Sequence, residues 1–362
     1  MASVGEVLQR LLQRAPQALA ESWDNVGLLV GDAAQPVSGI LVCLDLTPAA
    51  LEAARQAQAN LVITHHPLFT TPLAAFTADC APAAWAAARQ GLSVICMHTN
   101  LDAAPGGLAD QAAALLGLTD TRPLIEAAPG ALQKLVVFVP ETHREQVLAA
   151  LAEAGAGVIG KYDYCSFSTS GTGTFRALPG AQPFLGTVGQ VEQAAEVRLE
   201  TVVPKALARR AVQAMLAAHP YQEVAFDLYT LHNAWPGAGL GRVGTLPTPM
   251  AGAAFAQHVA GVFGGPVQVA GEKDQVCRVA VLPGGGGKAV VEAAQAGAEA
   301  LVTGDVGHHD ALAAHQHGLL LVGAGHYHTE LPAVGLLAEW CREAAPQVPV
   351  TPYLDTSPWS GG

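Results

Sequence analysis

The sequence predicts an α/β protein: a core with a mainly parallel sheet, built from both ends of the chain and interrupted by a smaller α+β domain. Three observations predict it. Strand-like stretches at 38–45, 60–69 and 92–102 alternate with alanine-rich helical stretches at 47–58 and 81–90, the βαβ order of a parallel sheet covered by helices. That texture stops near Thr119 and returns after Asn233. Between them lies a doubled β-α-β pattern that aligns at Val139/Val203, Pro140/Pro204, Leu148/Val212 and Leu151/Met215, as in a ferredoxin-like sandwich. The expected division is therefore 1–131 and 233–362 for the core and 132–232 for the insert.

In chain order, the first sixteen residues have no secretory apolar segment and read as an amphipathic helix. Residues 19–32 carry Trp23, Asp24 and Asn25 before a glycine-flanked apolar run, a tight turn into a strand. The 38–45 strand ends in Asp45, and Pro48 opens the next helix near its first turn. The 60–69 stretch is a strand that ends in His65 and His66, stopped by Pro67; the 92–102 stretch repeats the arrangement, a strand and then His98 and Asp102. Residues 119–130 read as turn-rich, and the Gly-, Ser- and Thr-rich stretch 155–189 as a mobile loop. Within the insert, strands are expected at 132–140, 188–204 and 223–231 and helices at 143–154 and 205–218. Glycines punctuate 235–247; a helix at 251–263 and a strand at 276–282 follow. The Gly284–Lys288 run is a tight strand-to-helix turn rather than a phosphate loop, because Leu282 stands where the first glycine is needed and Ala289 where a magnesium-binding hydroxyl is needed.

Bulk properties exclude several classes. With 18 basic and 30 acidic residues the net charge is −12, and no basic run offers a nucleic-acid surface. Apolar runs stop well short of the roughly twenty residues that span a bilayer, so a cytoplasmic protein is expected. The six cysteines are scattered without CxxC spacing and read as small core residues.

Polar side chains gather just past strand ends, where ligands of open α/β sheets bind. Residues 301–330 hold six of the thirteen histidines, and Asp305, His308, His309 and His326 follow apolar runs. His326 and Glu330 share a face if the segment is helical, because four residues return to within about 40° of the start. His328 is rotated from His326 by about 200° and should point away. His315 and His317 fit a solvated helix face. Imidazoles mixed with carboxylates suit zinc, manganese or iron, without choosing among them.

The motifs WDNVGLLVGD, THHPLF, HTNLD, TGD followed by HHDA, and GHYHTE together resemble the Nif-three-like dinuclear metal-centre family, also called GTP cyclohydrolase I type 2 homologues. The middle, including HPYQEVAFDLY, resembles the PII/CutA-like insert of longer members. This resemblance implies two divalent ions per chain held by His65, His66, Asp102, His326 and Glu330, and a ring-shaped homo-oligomer, commonly a hexamer, with its sites facing inward. It also exposes a departure, PGGGG where the family usually has Gly-Ser-Gly. His98, Asp45 and His309 are expected to orient ligands or substrate. Three functions fit: a metal-dependent hydrolase of a small anionic or nucleotide-like substrate, a regulatory scaffold, or a metal store.

Overall fold

The computed structural model describes residues 2–358 apart from Pro72, 128–131, Lys161 and Ala234, and divides into two compact units, Met1–Glu126 with Gly237–Gly362, and Ala127–Pro236. The expected boundary residue Ala131 lies outside the described residues.

In the first unit, α1 (Val4–Arg14) is opened by a capping box in which Ser3 and Glu6 satisfy each other's backbone amides. Then come β1 (Gly27–Val30), β2 (Ile40–Cys43), α2 (Pro48–Gln56), β3 (Leu61–Thr64), α3 (Pro82–Arg89), β4 (Ser93–Cys96), α4 (Thr99–Ala103), α5 (Leu108–Leu115) and β5 (Thr119–Glu126). The second unit runs β6 (Leu132–Pro140), α6 (Arg144–Glu153), β7 (Ser166–Arg176), β8 (Val191–Pro204), α7 (Lys205–Ala218) and β9 (Phe226–Thr230). The first unit resumes with β10 (Gly239–Met250), α8 (Gly252–Phe263), β11 (Gln268–Ala270), β12 (Val276–Leu282), α9 (Val290–Gln295), β13 (Ala300–Thr303) and α10 (His308–Gln316). It closes with β14 (Leu320–Gly323), α11 (His326–Glu330), α12 (Pro332–Ala344) and β15 (Val350–Pro352).

The protein is a mixed α/β fold with several sheets, and the first unit holds two of them rather than one crevice-bearing sheet. One has the order β1-β4-β3-β2-β15, the other β11-β14-β13-β12-β10-β5. The first is parallel from β15 through β2 and β3 to β4 with β1 added antiparallel at one edge, and the second has a parallel centre, β12-β13-β14, flanked by antiparallel strands on both sides. Strands β2, β3, β4, β13 and β14 are buried along their whole length, which explains their unbroken apolar character. In the second unit the strand order is β7-β8-β6-β9 and every pairing is antiparallel.

Three stretches differ from their sequence reading, for two physical reasons. The 119–130 turn-rich segment begins with edge strand β5, the 155–189 loop contains edge strand β7, and the glycine-rich 235–247 stretch contains β10. Edge strands β5 and β7 bury little, so ladder hydrogen bonds rather than apolar alternation hold them. In β10, Gly241 has φ +62, and a side chain there would meet the Val281 carbonyl oxygen at 2.8 Å. Glycine is the residue that allows the backbones this approach.

Candidate metal centre

Parallel strands deliver the site from both sheets of the first unit. His65 and His66 follow β3, His98 and Asp102 lie at and within α4 after β4, and His326 and Glu330 form the ends of α11 after β14. Because α11 is helical, His326 and Glu330 meet across one turn: His326 Nε2 lies 3.0 Å from Glu330 Oε2. His328 falls on the other side, where a side chain at Gly265 would meet its ring at 2.8 Å.

His65 is fully buried, and its Nδ1 donates to the Met97 carbonyl oxygen at 2.9 Å. That bond fixes the tautomer and leaves Nε2 with a lone pair, the arrangement of a metal-binding histidine. Nε2 lies 3.7 Å from Asp102 Oδ1 and 3.8 Å from Glu330 Oε1. His66 is gripped at both nitrogens, Nδ1 at 2.8 Å from Asp45 Oδ1 and Nε2 at 2.8 Å from Glu330 Oε2. Glu330 is 3% exposed and stands between the two groups, Oε1 toward His65 and Oε2 toward His66 and His326.

Orienting partners surround the cluster. Asp305 Oδ2 holds His326 Nδ1 at 2.6 Å, and Asp24 Oδ1 holds His98 Nδ1 at 2.8 Å. Asp24 Oδ2 accepts from both the backbone amide and the hydroxyl of Thr99. His65, His66 and His98 converge closely enough to share an ion, as do His66, His326 and Glu330. His309, by contrast, is exposed on α10, and its ring packs on His308 at 5.5 Å. Asp24 escaped the sequence reading as an orienting residue. Its signal was the Trp-Asp-Asn turn, which by itself said only that a strand begins.

The electrostatics are those of a cavity crowded with carboxylates. Burial pushes the Asp102 carboxyl up to about 7, helped by the Glu330 charge and opposed by His65. Burial works against charge on His66, yet hydrogen bonds to Asp45 and Glu330 lift it to about 10. His326 rises to about 9, chiefly through its bond to Glu330. For Glu330 itself, burial favours the neutral acid, but bonds from His326 and His66 outweigh it and keep the carboxyl well below its ordinary value.

A cation fits this donor set. His65 Nε2 and Asp102 Oδ1 are both buried and have no hydrogen-bond partner among the described residues, so two lone-pair donors point into the same space unsatisfied. Gly284 of the PGGGG turn makes room for the carboxylate: with φ +67, a Cβ there would lie 2.0 Å from Glu330 Oε1 and 3.5 Å from His326 Nε2.

A family model described as Duf34/NIF3 (NGG1p interacting factor 3) matches residues 2–357. The chain belongs to the Duf34/NIF3 family. Its relatives in that family include a GTP cyclohydrolase 1 type 2 homolog of Halalkalibacterium halodurans, 40% identical over 89% of this chain and 88% of the relative. One of the same description from Bacillus subtilis is 38% identical over 93% and 92%. Among solved structures, a Bacillus cereus protein related to NIF3 superposes with TM-score 0.85 and 36% identity over 99% of both chains. A Staphylococcus aureus protein gives 0.72 and 27% over 99% and 98%. No helix among the described residues of this NIF3-family chain is long and apolar enough to cross a membrane.

Proposed function

We propose that the cluster holds two divalent ions, zinc, manganese or iron, and that the protein is a metal-dependent hydrolase of a small anionic, nucleotide-like substrate. The observation that carries this reading is the buried, unpartnered pair His65 Nε2 and Asp102 Oδ1 beside a second donor group, His66, His326 and Glu330. His65, Asp102 and Glu330 Oε1 would hold one ion, and His66, His326 and Glu330 Oε2 the other. When bound, such a pair lowers the pKa of a water molecule and neutralises an anionic oxygen.

The chain's own side chains supply the remaining parts. Asp45, Asp305 and the Met97 carbonyl lock the three imidazoles in orientation, which keeps the donors in place without reorganisation. His98, its Nδ1 held by Asp24, sits beside His65 and His66, where its other nitrogen would take up the proton released by the attacking water and return it to the leaving group. In a chain of net charge −12, the ions would be the main local attraction for an anionic substrate. The description GTP cyclohydrolase 1 type 2 homolog, carried by the relatives, supports a nucleotide-like substrate.

Protein stripped by a chelator should lose turnover across a panel of nucleotides and phosphoesters and regain it with one preferred metal. Fully metallated protein that binds panel members stoichiometrically but turns none over would instead mark a sensing or storage protein.

The same reading extends to the organisation of the chain. We propose a ferredoxin-like, PII/CutA-like insert at 132–232 and an inward-facing homohexameric ring. Supporting the insert, β5 and β10 pair directly, Glu126 opposite Gly239, so the intervening residues leave and rejoin the core at neighbouring positions. Replacing 127–236 by a short turn should leave a soluble, metal-binding core. An insoluble or metal-free product contradicts the insert, and a full-length chain that scatters light as a monomer contradicts the ring.

A further inference from the structure

In the second unit, side chains of β6 and β8 alternate between two faces. Val137, Val139, Val197, Leu199 and Val203 pack with Val147 and Leu151 of α6 and Met215 of α7. The opposite face, with Phe138, Glu196 and Arg198, lines a cavity of about 780 Å³, within the range of small-molecule sites.

The cavity is roofed rather than open sheet. The segment after β7 folds over it, pinned where the Gln182 amide donates to Gln222 Oε1 at 2.9 Å. Phe184 and Phe175 each stand 6.1 Å from the Tyr221 ring, giving a wall of three tilted aromatics. Among these apolar surfaces two polar groups, the Tyr221 hydroxyl and the Glu196 carboxylate, are neighbours with no direct hydrogen bond between them. The Tyr221 hydroxyl is buried with no direct hydrogen-bond partner among the described residues, and burial together with neighbouring Glu196 pushes its phenol up, so it remains an O–H donor. Glu196 makes no ion pair among the described residues, because the nearby cation is occupied elsewhere: Arg198 Nε binds Glu200 at 2.8 Å and its guanidinium lies over Phe138.

Gly173 shows that the carboxylate has a prepared place. A Cβ at this position would lie 2.0 Å from Glu196 Oε2, although the Gly173 backbone is not left-handed and would accept a side chain. The missing side chain is therefore accounted for by the carboxylate, not by the turn of the strand.

We propose that this cavity binds a flat aromatic molecule bearing N–H donors, stacked on the Phe175, Phe184 and Tyr221 wall with its donors on Glu196 and a ring acceptor on the Tyr221 hydroxyl. An anion would meet Glu196 at an uncompensated cost. An aliphatic ammonium would satisfy the carboxylate but leave the aromatic wall and the phenol unused.

The test is a fluorescence titration of the full metallated chain with 2-aminopurine, whose emission falls on stacking. One saturable site per chain is expected. Gly173→Ala, which displaces the carboxylate without touching the aromatic wall, and Glu196→Gln should each weaken binding at least about tenfold, the effect of one lost charge-assisted hydrogen bond. Metal content should stay unchanged in both. Three results overturn the proposal: no saturation at millimolar probe, equal displacement by choline, or binding that survives both substitutions and disappears on chelation, which would place the probe at the metal centre. Loss of the cavity to a second copy of the chain, seen as self-association that Phe184→Ala abolishes without any probe binding, also overturns it.

Discussion

Glu330→Ala should strip the protein of both ions, the largest effect expected of any single substitution in the centre. Its carboxylate places one oxygen 3.8 Å from His65 Nε2 and the other 2.8 Å from His66 Nε2 and 3.0 Å from His326 Nε2, so one truncation removes a donor from each half. Removal also leaves three imidazoles facing one another without the charge that holds them. Affinity should fall by more than the roughly 10- to 100-fold typical of losing an orienting partner alone. The fold should survive, because α11 lies beyond the buried strand β14. His328→Ala, on the far side of the same helix, should leave metal content at the parent level. Elemental analysis beside circular dichroism reads both, and retention of metal by Glu330→Ala or its loss from His328→Ala would contradict the arrangement.

The largest effect on stability is expected at Arg242, 2% exposed and placed on β10. Its guanidinium binds Asp110 of α5 through two nitrogens, at 2.5 and 2.8 Å, and donates to the carbonyls of Gly239, Gly241, Ala104 and Gly237. The residue thereby ties the amino-terminal helices to a strand of the carboxy-terminal half. Arg242→Ala should cost about 3 kcal/mol, since truncation removes the cation bound to the Asp110 carboxylate, which keeps the Gly106 amide, and leaves several carbonyls without this donor. The urea midpoint should drop accordingly with the denaturant slope unchanged. A midpoint within error of the parent would show that water replaces the guanidinium at no cost.

The contrast between these two sites shows what the sequence makes legible. Around Glu330, histidines and carboxylates directly follow apolar runs, and an i,i+4 pair on a short helix fixes its own geometry. Chemistry placed at the ends of buried parallel strands announces itself because the strands do. Arg242 sits in GAGLGRVG, a stretch whose glycines suggest turns, so a buried cation in a strand could not be read there. Its partner Asp110 is 132 residues away. The same limit hid β5 and β7, which hold their place through ladder bonds that any sequence can make. Asp24 shows an intermediate case: its position beside a strand was visible, but its grip on His98, 74 residues away, depends on how β1 and β4 pair. Likewise, the PGGGG turn was legible as a turn, whereas the need for Gly284 became visible only once Glu330 lay against it.

The central claim is one centre with two ions, built from both sheets and joined by Glu330. Counting metal in purified, dialysed full-length protein by elemental analysis addresses it most directly. Two ions per chain are expected, both removable by a chelator and both restored by adding back one metal. A saturated content of one ion or none, reproduced with zinc, manganese and iron supplied in turn, would contradict it.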